Sequence, residues 1–375
     1  YPLYLFMFKI LRQYHKIFPR KFGSYWKKIE DYSKIDNDLV EITNSFINSE
    51  SYNFVSRYWH ILNIGAYEHL INKGYKDYGS TIAQNYFTMT DLYDPWIDKA
   101  MDSALDTVDI RLNGDIFKKQ NYFTYRQSIF YNYLCVLLYS NLKKTKYFDQ
   151  LYKLQDKTYT GFDDPFIKID NHKITTDKVV SLLDCEKINK AFNLNDISKI
   201  LEIGAGSGRL ADAILSLEAN KKYVICDIPP AIFISYKRLQ VAFPKKKISL
   251  LFNVTNKDEL EKKINESDIS FIFPHQLELF SKNFIDLVLA VDCLHEMDQK
   301  TIQNYFEKIN KLTNRFYFSV WDETLLPYSK KIFSKNTRLN YLKGDYNVPK
   351  NWDNIFKENP VFPSNYWCLG FDIKK

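Results

Sequence analysis

Residues 199–208, Lys-Ile-Leu-Glu-Ile-Gly-Ala-Gly-Ser-Gly, constrain this chain more than any other stretch. Ile200, Leu201 and Ile203 read as a short buried strand that ends in alternating glycines, and Arg209 to Ala219 reads as a helix. A strand that passes through glycines straight into a helix is how a Rossmann-like α/β domain opens its ligand site, because the backbone must turn sharply and approach what it binds.

The spacing speaks to the ligand. A dinucleotide fingerprint is Gly-x-Gly-x-x-Gly, with a pyrophosphate at the helix N-terminus. Here the third glycine comes one residue early, and Arg209 stands where it is expected. Glu202, two residues before Gly204, would repel a pyrophosphate. It suits S-adenosylmethionine, which has no phosphate and carries a sulfonium and an ammonium. The alternative is a glycine-requiring βα turn whose acid is merely solvated.

A second strand, Tyr223-Val-Ile-Cys226, ends at Asp227. An acid about 20 residues past such a turn is where these folds hydrogen-bond ribose hydroxyls. Asp227 is therefore the expected ribose ligand, with an N-cap ahead of the helix after Pro229 and Pro230 as the other reading. Gly204, Ala205, Gly206 and Gly208 in the turn, and Ile228 after the acid, complete the cofactor-facing set around these strands.

At 375 residues the chain exceeds one typical domain. Before residue 150 the periodicity is helical, over 55–71, 95–111 and 129–142, with breakers at Gly74, Gly79, Asn113-Gly114 and 161–165. We expect a mainly helical part over 1–170, binding the acceptor or covering the cofactor, and a cofactor-binding α/β domain over 171–375. Another helix begins near Thr175, capped by Thr176 or Asp177. Further helices are expected over 230–242, 257–265 and 301–312. Both 248–254 and 269–273 look like strands, and the second is favoured as the third core strand because it ends in Pro274-His275-Gln276, a polar turn where an adenine would lie. Residues 284–291, apolar apart from Asp286, read as the central strand of a doubly covered parallel sheet. A fifth strand follows over 315–321, and 367–374 reads as an antiparallel edge.

The formal charge of +7 is spread along the chain, so it describes no nucleic-acid groove, and no nucleic-acid partner is expected. Five cysteines without a close pair read as reduced core thiols of a cytoplasmic protein. The 28 Tyr and 28 Phe accompany abundant Lys, Asn and Ile, a mixture typical of AT-rich genomes, and carry no information on substrate. No run reaches the roughly 18 apolar residues of a membrane span. Residues 1–28 mix apolar bulk with Lys and Arg, as either a packed amphipathic helix or a weak membrane-surface contact would. The first residue is Tyr1, which we read as a trimmed chain.

Leu-Glu-Ile-Gly-Ala-Gly-Ser-Gly-Arg-Leu (201–210), Cys-Asp-Ile-Pro (226–229), Phe-Pro-His-Gln-Leu (273–277), Asp-Cys-Leu-His-Glu-Met (292–297) and Asp-Tyr-Asn-Val-Pro-Lys-Asn-Trp (345–352) share an order. In these motifs the carboxy-terminal two-thirds resemble the sugar O-methyltransferases of bacterial surface-polysaccharide loci, within the class I S-adenosylmethionine-dependent methyltransferases. The resemblance implies a helical amino-terminal extension, a Rossmann-like sheet, S-adenosylhomocysteine as product, and a hydroxyl of a nucleotide sugar or surface glycan as acceptor. It departs at Ser207, where tyrosine is expected, and at His295, where glutamine is commoner.

Methyl transfer to a hydroxyl needs alignment and a base. Asp292, His295, Glu296 and Asp298 follow the fourth core strand, at the edge facing the methyl group. His295 has the better intrinsic pKa for a base, and Glu296 would need burial; His295 also reads as a surface or capping histidine. Asp292 is assigned to the cofactor pocket, and His275 and Gln276 to the adenine, with a structural turn as their alternative. No metal is predicted. His15, His60, His69 and His172 show no partner pattern. Methylation of another small molecule and a non-catalytic binding protein of the same fold are the alternatives.

Overall fold

The computed structural model describes residues 21–78, 117–119, 124–155, 165–169, 172–297, 299–321, 323–325, 338–340, 346–360 and 366–374. Residues 1–20, the expected helix 95–111, the breakers at Gly79, Asn113-Gly114 and 161–164, the candidate acid Asp298 and the motif residue Asp345 lie outside them.

Eight strands form the main sheet: β1 Lys199–Ile203, β2 Lys222–Cys226, β3 Ile248–Leu250, β4 Ile269–Ile272, β5 Leu287–Val291, β6 Arg315–Trp321, β7 Trp352–Glu358 and β8 Tyr366–Ile373. Their spatial order is β7-β8-β6-β5-β1-β2-β4-β3. The six strands from β6 to β3 run parallel, and β8 and β7 join antiparallel. The fold class is therefore α/β with a Rossmann-like sheet, as expected. β2, β4 and β5 are buried along nearly their whole length, the consequence of apolar, β-prone runs covered on both faces.

Alternation along the strands sorts side chains into two cores. Ile200, Tyr223, Ile225, Leu287 and Leu289 face one side, and Leu201, Ile203, Val224, Val288 and Ala290 the other. The amino-terminal helices pack on the first side, among them α1 Asn37–Ile47, α2 Arg57–Lys73 and α3 Tyr125–Leu142. With them pack α4 Thr176–Ala191, α5 Arg209–Leu217 and α6 Ala231–Ala242. The second side is covered by α7 Lys257–Glu266 and α8 Gln299–Leu312. Because Phe22, Trp26, Phe46 and Tyr67 share one continuous apolar cluster with β1, β2 and β5, the helical part is held by the same hydrophobic burial as the sheet.

Polar contacts tie this helical part to α6 and to the turns after β2 and β4. Asn63 Nδ2 donates to the Pro229 carbonyl at 2.9 Å. Lys237 pairs with Asp38 and, at 3.0 Å, with Asp36. Ser51 bonds His275.

Both stretches expected as strands, 248–250 and 269–272, lie in the sheet, and the favoured one, β4, is the third core strand beside β2, with β3 added outside it. The structure differs from expectation in three places. β8 is antiparallel but not an edge, since β7 pairs along it. The cap of α4 is Thr175, whose Oγ1 accepts from Lys178 N at 3.2 Å, not Thr176 or Asp177. Finally, β5 starts after Asp286, whose Oδ2 accepts from Ser198 N and Lys199 N at 2.9 and 2.8 Å and so anchors the start of β1.

Candidate active site

Beyond Ile203 the chain takes positive φ at Gly204, Gly206 and Gly208, of 69°, 58° and 73°. At Gly204 the glycine is required twice over: its φ is left-handed, and a Cβ there would lie 2.6 Å from Cys293 Cβ, where the end of β5 crosses behind the turn. Asp227 holds the turn from the next strand. Its Oδ2 accepts from Gly206 N at 2.8 Å and its Oδ1 from Ile228 N at 2.7 Å. It does not cap α6, whose first residue follows Pro230 without a side-chain cap.

A second layer fixes the turn from below. Arg238 of α6 donates to Ser207 Oγ at 3.2 Å and pairs with Asp177 and Asp212, and it is 4% exposed. Arg209 donates to Asp184 Oδ2 of α4 at 2.8 Å and to Ser181 Oγ at 3.2 Å. Buried guanidiniums of this kind need several acceptors to offset desolvation, and α4 supplies Asp177, Ser181 and Asp184, with Asp212 of α5 and Ser207 of the turn completing them. Nothing in the local motif announces these partners.

Above the strand ends lies a cavity of about 810 Å³. Of the expected cofactor residues, Glu202, Gly204, Ala205 and Gly206 line it from β1, and Asp227 and Ile228 from β2. His275 and Asp292 line it from the turns after β4 and β5, together with the candidate base Glu296. Gly208, Gln276 and His295 are not part of the wall. Gly208 is the left-handed residue that starts α5, packed against Ser235. Gln276 is fully buried, and its amide is spent on structure: Oε1 accepts from Phe273 N, and Nε2 donates to the Leu251 and Val254 carbonyls. The adenine role expected for it does not fit this placement.

His295 is likewise turned inward, at 2% exposure. Its Nε2 lies 3.6 Å from Asp292 Oδ1 and its ring packs edge-on to Tyr366. Burial pushes its pKa down to about 3, which makes it a weak proton acceptor. Glu296, on the same short turn Leu294–Glu296, faces the cavity instead, and burial together with Asp292 and Asp227 raises its pKa well above the usual carboxylate range.

The floor is thus acidic. Burial raises Glu202 to about 7, although Tyr223 donates its hydroxyl to Oε2 at 2.8 Å. It raises Asp227 to about 7 against the two N–H donors, and Asp292 to about 6 against the Tyr366 hydroxyl. Asp292 sits at φ 62°, a left-handed conformation uncommon outside glycine and asparagine. The remaining walls come from parts of the chain with no motif. Asn53, Phe54 and Trp59 close one side, with Phe54 72% exposed, and Lys300, Asn304 and Lys308 of α8 close the other. Among the described residues, no group of three or more His, Cys, Asp or Glu is arranged to hold a metal ion.

No protein-family model matches this chain, and no curated protein does. Solved structures with a similar course of the chain include the mitomycin 7-O-methyltransferase MmcR, 10% identical with a TM-score of 0.35 over 75% of this chain and 69% of that one. An O-methyltransferase family protein from Burkholderia thailandensis is 10% identical with a TM-score of 0.34, over 53% and 58%. Magnesium protoporphyrin IX methyltransferase from Synechocystis, with bound S-adenosylhomocysteine, is 14% identical with a TM-score of 0.34, over 62% and 97%. At such scores the likeness adds nothing to the geometry above.

Proposed function

We propose that this protein is an S-adenosylmethionine-dependent methyltransferase that methylates a hydroxyl of a sugar, carried on a nucleotide or a surface glycan. The observation that carries the reading is the acidic floor at the ends of β1, β2 and β5. Glu202, Asp227, Asp292 and Glu296 line one cavity, and burial raises the pKa of each. A sulfonium or ammonium beside these carboxyls restores their charged form, so the floor favours a ligand with positive charge and hydroxyl donors. The donor set therefore fits S-adenosylmethionine: Asp227 would hold the ribose hydroxyls, Glu202 the amino-acid end, and Ile228 and His275 the base.

When bound, the cofactor supplies a methyl carbon already activated by its sulfonium. What the protein must add is alignment and a proton acceptor. Glu296 accepts the hydroxyl proton in this reading, because it is the carboxyl of the Leu294–Glu296 turn that faces the cavity. Asp292, steadied by Tyr366 and His295, orients the region between cofactor and acceptor. The helical part over 1–170 contributes the wall around Asn53, Phe54 and Trp59, where an aromatic face can pack on sugar C–H groups. Sugar specificity rests on the motif resemblance. Five buried free thiols suit a reducing compartment such as the cytoplasm.

The test is calorimetric titration with S-adenosylhomocysteine and NAD, followed by transfer of labelled methyl to a panel of nucleotide sugars. Saturable heat with S-adenosylhomocysteine and label on a sugar are expected. Heat with NAD alone would reject the reading, and label on RNA but on no sugar would reassign the acceptor.

A further inference from the structure

The turn after β4 contains a contact that decides the chemistry of one cavity-facing ring. Ser51 belongs to the single-turn segment Glu50–Phe54, far upstream in the chain. Its Oγ accepts from the His275 backbone N–H at 2.8 Å and lies 2.9 Å from His275 Nδ1. Ser51 is 3% exposed, and both residues border the cavity.

A serine hydroxyl has one proton to give, and an uncharged imidazole carries one proton on one of its two nitrogens. If Nδ1 held the ring proton, Oγ would accept twice, and the hydroxyl proton of the buried Ser51 would have no acceptor among the described residues. That arrangement leaves a buried donor unsatisfied. If Nδ1 is bare, Oγ–H donates to it while accepting from the backbone, and every group at the contact is paired. The ring proton is then on Nε2.

We infer that Ser51 is a positioning residue that locks His275 in its Nε2–H form, so that the cavity wall presents an imidazole donor to an acceptor nitrogen of the ligand's base. Burial lowers the His275 pKa below its ordinary value, so the ring is neutral at neutral pH. Protonation would destroy the arrangement, because the imidazolium has no acceptor nitrogen for Oγ–H. The donor's discrimination is specific: it favours a heteroaromatic base with a bare ring nitrogen at that edge and rejects one with C–H or N–H there. Since Ser51 and His275 lie in different parts of the sequence, the base-reading wall is completed by the amino-terminal helical part. The identity of the base rests on the adenosyl reading above; the tautomer does not.

Long-range nitrogen-15 NMR on histidine-labelled protein reads the tautomer directly, with His275→Gln to assign the ring. The wild type should show Nε2 protonated and Nδ1 bare, Ser51→Ala should lose that preference, and Ser51→Thr should restore it. Far-UV circular dichroism on each variant establishes that the fold is kept. In parallel, S-adenosylhomocysteine is titrated against analogues in which each adenine ring nitrogen in turn is replaced by C–H. One analogue should bind wild type roughly three- to tenfold more weakly, and Ser51→Ala should remove that difference by weakening the parent compound. A wild-type ring protonated on Nδ1, or an unchanged tautomer in folded Ser51→Ala, overturns the role of Ser51. Equal affinity for all analogues overturns the donor's target. Absence of heat with S-adenosylhomocysteine sinks the adenosyl reading and leaves the NMR result to judge Ser51 alone.

Discussion

The turn after β1 and the turn after β5 border the same cavity on opposite plans. The first is built from backbone: three left-handed glycines, with amides of Gly206 and Ile228 directed at Asp227. The second is built from side chains held at long range: Asp292, left-handed without being glycine, takes the hydroxyl of Tyr366 on β8, and Cys293 donates its thiol to the Ile203 carbonyl at 3.1 Å. A ligand that is the same in every turnover can be met by a carboxylate that the backbone holds fixed, whereas the reacting group must be met by a side chain whose proton affinity the surroundings can tune. On the proposed function, this difference assigns binding to one turn and chemistry to the other.

The sharpest way to break this division is Glu296→Gln. Turnover with a sugar acceptor should fall by roughly 10²–10⁴-fold while affinity for S-adenosylhomocysteine stays near wild type. A matched loss of cofactor affinity would merge the two turns into one function. His295→Ala should cost far less turnover than Glu296→Gln, and the reverse ranking would return the base to histidine.

Asp227→Ala tests the other turn. It removes the acceptor for two amides and for the proposed ribose bonds, and should weaken S-adenosylhomocysteine by roughly 1.5–3 kcal/mol for each charge-assisted bond lost. Unchanged affinity in a folded variant would make the carboxylate a brace for the glycine turn and nothing more.

The smallest expected effect is on stability. Glu202 titrates near 7 in the folded protein and near 4.5 when free, so folding takes up a proton. The associated stability is complete below about 4.5 and is lost as pH rises through 7. The unfolding free energy of the unliganded protein from urea titrations should fall across that window, with Glu202 contributing on the order of 2 kcal/mol beside Asp227 and Asp292, and Glu202→Gln should make the fall shallower. An identical slope in the variant would show that the proton goes elsewhere.

The sequence made the first turn readable and hid the second for the same physical reason. Residues 199–208 and Asp227 act through their own backbone and the adjacent strand, so spacing alone exposes them. The partners of Asp292 and His275 come from Tyr366 and Ser51, far along the chain, and no periodicity links such pairs. Gln276 looked like a ligand because a polar residue after a strand end is ambiguous until its carbonyl partners are known. His295 and Glu296 are neighbours in sequence, and only the curl of the turn decides which one meets the cavity. The sequence carries no period-two signal for β7, because Asp353, Asn354 and Ile355 are exposed in succession where its pairing with β8 shifts.

That last strand has a further consequence. A strand at the border of a sheet offers unpaired amides to any passing chain, and eight strands of this apolarity would make a ready template for stacking. β7 spoils the template. Its pairing with β8 shifts between Asn354 and Phe356, and Asp353 and Lys357 stand exposed along it, with Lys357 folded over the Trp367 ring. At the opposite border β3 is three residues long. Among the described residues, neither margin gives a second copy a long flat row to zip onto.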